Sequence, residues 1–209
     1  MAGRRTGGGR AGGRPPGGHA DEPTPGSAAD ATPDADPESV ARAIVLRRLT
    51  AAPRTRAQLA DDLRRRDVPD EVADQVLDRF GEVGLVDDEA FAEAWVRTRH
   101  TGRGLARRAL AHELRARGVD DETVAQAVGA VGPDEEAAAA RSLVAKRLAS
   151  TRGLPTDRRV RRLAGMLARK GYSSGLAMRV VRDALAAERG SDAPTGEGPE
   201  GLGWEPAEG

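Results

Sequence analysis

Residues 84–119 read GLVDDEAFAEAWVRTRHTGRGLARRALAHELRARGV. The stretch opens with an acidic pair, and Asp87 or Asp88 is placed to cap a helix. Phe91, Trp95 and Thr98 then fall at i, i+4 and i+7, the spacing of one helical face. Gly102-Arg103-Gly104 breaks that helix, and Leu110 and Leu114 mark the buried side of an arginine-dense second one. Gly118 ends it, at a point where a side chain would penalise the left-handed closing conformation.

The second half of this stretch recurs on either side. Leu110-Ala111-His112-Glu113-Leu114-Arg115-Ala116-Arg117-Gly118-Val119 has one counterpart starting at Leu59, 51 residues earlier, and another at Leu163, 53 residues later. Each copy carries Leu-Ala-x-x-Leu and basic residues, and each is followed by a helix start. Asp67 stands where the other two copies have Gly118 and Gly171. A self-similarity of this period marks a repeat architecture.

The flanking segments fill out the repeats. Pro37 opens a helix with Val40, Ala43, Ile44 and Leu46 as its apolar positions. Thr55-Arg56-Ala57-Gln58 is a capping box ahead of Leu59 and Leu63. Pro69 and two acids start a helix with Val72, Val76, Leu77 and Phe80. Asp120 onward starts another with Val124, Val128 and Val131. Further helices follow from Pro133, from about Thr156 and from Ser173. The expectation is an all-α fold of three tandem three-helix repeats over residues 37–86, 87–132 and 133–188, forming an elongated curved body. Segments 1–36 and 189–209 lack apolar periodicity and are expected to be disordered, the latter acidic.

The chain has 209 residues, no cysteine and a formal net charge of zero. Disulfide and thiolate chemistry are thereby excluded, and a reducing cytoplasm is the expected location. No apolar run approaches the ~20 residues of a membrane helix. The charge is unevenly spread. Residues 37–96 hold 9 basic and 13 acidic residues, whereas 97–188 hold 19 and 10. A basic back half of this kind points to a polyanion, or to a partner that carries one.

Catalytic and cofactor signatures are missing. There is no phosphate loop of the Gly-x-x-x-x-Gly-Lys type, and Gly102-Arg103-Gly104 follows a helix, not a strand. His19, His100 and His112 lack metal-ligand spacing. The acidic pairs sit at helix starts, where they complement the dipole. The expected protein is therefore not an enzyme and uses no cofactor or metal. Phe80, Phe91 and Trp95 read as core, and Trp204 in the acidic tail ranks below the arginines as a contact. The scarcity of aromatics argues against single-strand binding by base stacking.

That leaves the basic residues. Arg97, Arg99, Arg103, Arg107, Arg108, Arg115 and Arg117 in the middle repeat, and Arg161, Arg162, Arg169 and Lys170 in the third, are the candidate contact residues. They read either as a solvated face laced with ion pairs or as an electropositive stripe for phosphates or an acidic protein groove. Charge reversal at Arg107, Arg108 and Arg115 is expected to weaken binding without unfolding. A helix-turn-helix DNA-binding regulator is the alternative, although three serial copies fit dimeric half-site reading poorly.

Gly84-Leu85-Val86-Asp87-Asp88, Phe91-Ala92, Arg99, the glycine turn, Glu113-Leu114 and Arg117-Gly118-Val119 resemble the central block of the RecX family. The resemblance spans the core of the chain through the order of its repeats, and the long tails fall outside it. It implies a cytoplasmic, non-enzymatic regulator of recombination, DNA repair and the SOS response. Such a protein binds the RecA recombinase filament on DNA and mainly inhibits it, with direct contact to DNA phosphates as a further expectation. A monomer is the expected state. The resemblance supplies no set of catalytic residues.

Overall fold

The structure, a computed structural model, describes residues 36–191. These hold nine α-helices in chain order: α1 (Pro37–Ala51), α2 (Arg56–Arg64), α3 (Asp70–Glu82), α4 (Asp88–Arg103), α5 (Arg107–Arg115), α6 (Asp121–Gly129), α7 (Pro133–Leu148), α8 (Thr156–Arg169) and α9 (Ser174–Ser191). A short 3-10 turn, Ala149–Thr151, follows α7. No strand occurs among the described residues. The expected disordered segments 1–36 and 189–209 lie outside the described residues except at their inner edges, where α9 continues to Ser191.

The starts of these helices follow from local chemistry. Thr55 caps α2 with both halves of its capping box formed, its hydroxyl accepting from the Gln58 N–H at 3.2 Å. Asp87, and not Asp88, caps α4 by accepting from the Ala90 N–H at 2.8 Å. Asp120 does the same for α6 through the Thr123 N–H. Pro133 occupies the first turn of α7, where its missing N–H costs nothing.

Extensive helix–helix contact is confined to three sets, α1–α3, α4–α6 and α7–α9. Each set encloses its own core. The repeated leucines are the centres of these cores: Leu59, Leu63, Leu110, Leu114, Leu163 and Leu167 are at most 1% exposed. Full burial of one leucine is worth roughly 1.5–3 kcal/mol. Two expected stripes differ in detail. On α1 the buried residues are Ala41, Ile44 and Val45, while Val40 and Leu46 are 38% and 45% exposed. On α4 they are Ala92, Val96 and His100, with Phe91 and Trp95 only half-buried beside the core. In both helices alanine carries part of the buried face, so the larger apolar residues misplace it.

The three units are joined in series by one device used twice. The start of the second helix in one unit abuts the turn that ends the second helix of the next. Thr55 Oγ1 donates to the Arg117 carbonyl at 2.6 Å, and 51 residues on the Ala106 N–H donates to the Lys170 carbonyl at 2.9 Å. Arg56 N–H donates to Asp88 Oδ1 at 2.8 Å, and Arg107 N–H to Glu136 Oε1 at 2.9 Å. The closing residues Gly118 (φ 78°) and Gly171 (φ 90°) lie directly against Ala57 and Ala109. Asp67 occupies the same position in the first unit, also at positive φ (57°), but is exposed. Aspartate tolerates that conformation, and here no helix start presses on its Cβ.

Thr55 is fully buried and serves both its own helix and this junction. Thr55→Ala should therefore lose a cap, worth about 1 kcal/mol, and strand the Arg117 carbonyl, at roughly another 1 kcal/mol. Urea unfolding should show a loss of about 2 kcal/mol, and Thr55→Ser should restore most of it.

Candidate functional site

The series arrangement leaves an open cleft of about 1040 Å³ between the second and third units. Its walls are the end of α4 with the Gly102–Gly104 turn, one face of α7 and one face of α8. On α7 that face runs through Glu135, Ala139, Ser142 and Lys146 and continues to Ser150 in the 3-10 turn, and on α8 it runs through Arg162, Met166 and Arg169. Both sets follow the i, i+3/i+4 spacing of a single helix side. Leu105, Leu143, Leu163 and Met166 contribute apolar surface.

The polar lining is strongly one-signed. Arg103, Lys146, Arg147, Arg162, Arg169 and Lys170 supply six cations, against Glu135 alone. Lys170 Nζ donates to the Arg103 carbonyl, which ties the end of α8 to the turn after α4. Among the described residues no ion pair engages the other five cations. Cations held together without counter-charges create the local potential that attracts a polyanion.

Beside the cleft, the turn after α4 is tied to the third unit a second time. Tyr172 is 1% exposed and its hydroxyl donates to the Gly104 carbonyl at 3.1 Å. Burial, with the Glu136 carboxylate adding to it, pushes the Tyr172 phenol up to about 12. A raised phenol means the native state keeps its proton longer than the unfolded chain. This contribution to stability is complete below the ordinary phenol range near 10 and lost as the pH climbs towards 12. Stability should therefore fall between pH 10 and 12, and Tyr172→Phe should flatten that fall in a urea series. His100, 7% exposed, braces the same corner through Nδ1 and the Leu105 carbonyl at 2.9 Å.

The eleven candidate residues do not form one stripe. Arg103, Arg162, Arg169 and Lys170 meet in the cleft. Arg99 and Arg117 instead lie over the Trp95 ring, at 4.1 and 3.7 Å from its centre. The Trp95 indole N–H donates to Glu113 at 2.8 Å, and Phe91 stacks on its ring at 5.7 Å. Burial holds the Arg117 guanidinium below its ordinary value; Glu113 opposes this and Arg99 adds to it. Each such cation–π contact contributes about 0.5–2 kcal/mol, so this pair is woven into the second unit. Arg115 pairs with Asp121 at 2.6 Å. Arg97 lines a smaller depression with Glu93 and Gln126. Arg107 is half-buried at the junction, Arg108 is exposed on α5, and Arg161 is exposed on α8 and reaches the Asp157 carbonyl at 3.4 Å.

Lys146 and Arg147 belong to the cleft and were not among the sequence candidates. Their signal was the spacing Ser142-Lys146-Ser150 along α7 and the turn after it, which only gains meaning once α8 lies beside it. No group of three or more metal-ligating side chains stands together among the described residues. None of their helices is long and apolar enough to cross a membrane.

Comparison with known proteins matches all three units. The family descriptions "RecX, first three-helix domain", "RecX, second three-helix domain" and "RecX, third three-helix domain" fit residues 41–80, 87–128 and 134–181. The chain is 70% identical over 148 residues to the regulatory protein RecX of Thermobifida fusca, covering 71% of this chain and 80% of that one. It is 60% identical over 160 residues to that of Streptomyces lividans, covering 77% and 85%. Among solved structures, a crystal structure of a regulatory protein RecX superposes with a TM-score of 0.63 at 26% identity, over 71% of this chain and 73% of that one. RecX from Lactobacillus salivarius shares the fold with a TM-score of 0.67 at 20% identity, over 73% and 99%. The chain belongs to the RecX family.

Proposed function

We propose that this RecX-family chain binds the RecA recombinase filament on DNA and restrains it, with the basic cleft between the second and third units as its main contact. The observation that carries this reading is the cleft's charge, six cations against one carboxylate on a face that the fold leaves open. A filament groove displays both protein and phosphate, and a series of linked units can follow such a groove. The action is mainly inhibitory and non-catalytic, carried out by a monomer in the cytoplasm. It would bear on recombination, repair and the SOS response.

Duplex reading of the helix-turn-helix kind is less well supported. Such readers place the N-terminal residues of a unit's last helix on base edges. In two of the three units that helix is acidic at its start, α3 with Asp70-Glu71 and α6 with Asp121-Glu122, which phosphates would repel; α9, which starts Ser174-Gly175, has no such acids.

RecA ATP hydrolysis on single-stranded DNA tests the proposal. Added below the RecA concentration, the chain should lower the steady-state rate severalfold and shorten filaments seen by electron microscopy. Unchanged rate and length would refute it, and tight sequence-specific duplex binding without RecA would favour the alternative.

A further inference from the structure

We propose that residues 192–209, which continue the chain past α9, dock in the basic cleft and shield it from polyanions. Three observations converge on this occupant.

The first is charge. Residues 192–209 contain Asp192, Glu197, Glu200, Glu205 and Glu208 and no lysine or arginine. Five carboxylates match a cleft whose six cations face a single acid. The second is chemistry. The cleft offers apolar surface from Leu105, Leu143 and Met166 between its cations. The segment offers Leu202 and Trp204, flanked by Glu200 and Glu205. An apolar pair bracketed by acids suits an apolar strip bracketed by bases.

The third is where α9 leads. Glu188, in its last turn, accepts from Arg152 Nε at 2.7 Å and from Arg159. Arg159 Nε in turn donates to Thr151 Oγ1 at 3.1 Å, and Thr151 lines the cleft with Ser150. The last turn of α9 is therefore tied, through Arg159, to the Ser150–Thr151 rim of the cleft. From Glu135 to Arg147 the cleft runs about 18 Å along α7, at ~1.5 Å per residue. Trp204 lies thirteen residues past Ser191, a reach of at most about 45 Å. The segment is long enough to lie along the whole cleft.

Docking of this kind would make polyanion binding conditional. A weak anion would meet a covered cleft, and only a dense array of phosphates or carboxylates would displace the segment. The inference stands apart from the proposed RecA activity, because the cleft would be covered whichever polyanion it serves.

The chain contains no cysteine, so a pair of introduced thiols reports proximity cleanly. Ser142 is exposed on the cleft face of α7, and Ala52 is exposed in the first unit. In full-length chain carrying Ser142→Cys and Gly203→Cys, the disulfide should form roughly tenfold faster than in the Ala52→Cys, Gly203→Cys control. That advantage should vanish in 0.5 M salt and in the Lys146→Glu, Arg147→Glu background. Equal rates for the two pairs at low salt would overturn the inference. A heparin column supplies a second readout. Chain ending at Ser191 should elute at higher salt than full-length chain, and the gap should close in the Lys146→Glu, Arg147→Glu background. A gap of the same size in that background would mean that the segment acts only through net charge, and would equally sink docking. Neither readout involves RecA, so a failure here is distinct from a failure of the ATPase test.

Discussion

Gly171→Ala should destabilise the fold by about 4 kcal/mol. Two costs add. The residue sits at φ 90°, where an L side chain is strained, at roughly 1–2 kcal/mol. A Cβ there would stand 2.6 Å from Ala109 Cβ, 2.7 Å from Ala109 N and 3.1 Å from Ala109 Cα. Backbone cannot swing aside as a flexible side chain can. The start of α5 is also pinned, since the Ala106 N–H donates to the Lys170 carbonyl and the Arg107 N–H to Glu136. The clash must be relieved by parting the second and third units, and overpacking of that kind costs about 1–3 kcal/mol beyond the strain. Gly84→Ala is the control. Gly84 shares the positive φ (70°), but nothing lies within 4 Å of where its added methyl would stand, so it should lose only about 1 kcal/mol. Urea unfolding of both variants, with hydrogen exchange at the start of α5, decides the matter. If the two variants lose equal stability, close approach at the junction is not what fixes Gly171.

The junction shows where reading the sequence stops. Leucines at Leu59, Leu110 and Leu163 announce three helices because each carries a large apolar signal at a regular offset. Thr55 and Asp87 announce helix starts because capping is local chemistry, settled within four residues. The junction is different. It is made by backbone groups and by the smallest side chains, Ala57 and Ala109 against Gly118 and Gly171. Nothing in a linear pattern marks an alanine that must stay small because a glycine from 61 or 62 residues away presses on it. The exposed Asp67 tells the same story in reverse: the turn conformation is kept, and the demand for glycine lapses where no neighbour packs on it. Trp95 is a further case. Its spacing with Phe91 places it on a helix face, but the arginines that cover it, Arg99 and Arg117, come from two separate stretches of the second unit. The candidate basic residues were therefore legible as a population and not as a surface. Three-dimensional packing gathers four of them in a cleft, stacks two on Trp95, pairs Arg115 with Asp121 and scatters the rest.

That division determines which charge reversals test binding. Lys146→Glu, Arg147→Glu and Arg169→Glu together should weaken binding to RecA filaments on single-stranded DNA about 100-fold, at about 1 kcal/mol for each partly solvated contact. All three residues are exposed, line the cleft and lack an ion pair among the described residues, so the fold should keep its stability. Reversing Arg117 would be a poor test, because it would remove one half of the Trp95 stack and a hydrogen bond to the Glu113 carbonyl. The control is a reversal of Arg47, Arg65 and Arg66, which are exposed in the first unit and change the net charge by the same amount. At 0.15 M salt the screening length is about 8 Å, so charges outside the contact should matter little. The control should lose less than about threefold, and only the cleft variant should flatten the dependence of affinity on salt, by a slope of about 2 for three lost phosphate contacts. Binding titrations at several salt concentrations separate the outcomes. Loss confined to the cleft variant makes the cleft the contact. Equal losses in both variants would mean that the filament senses the net charge of the chain, and the cleft would then have no special claim.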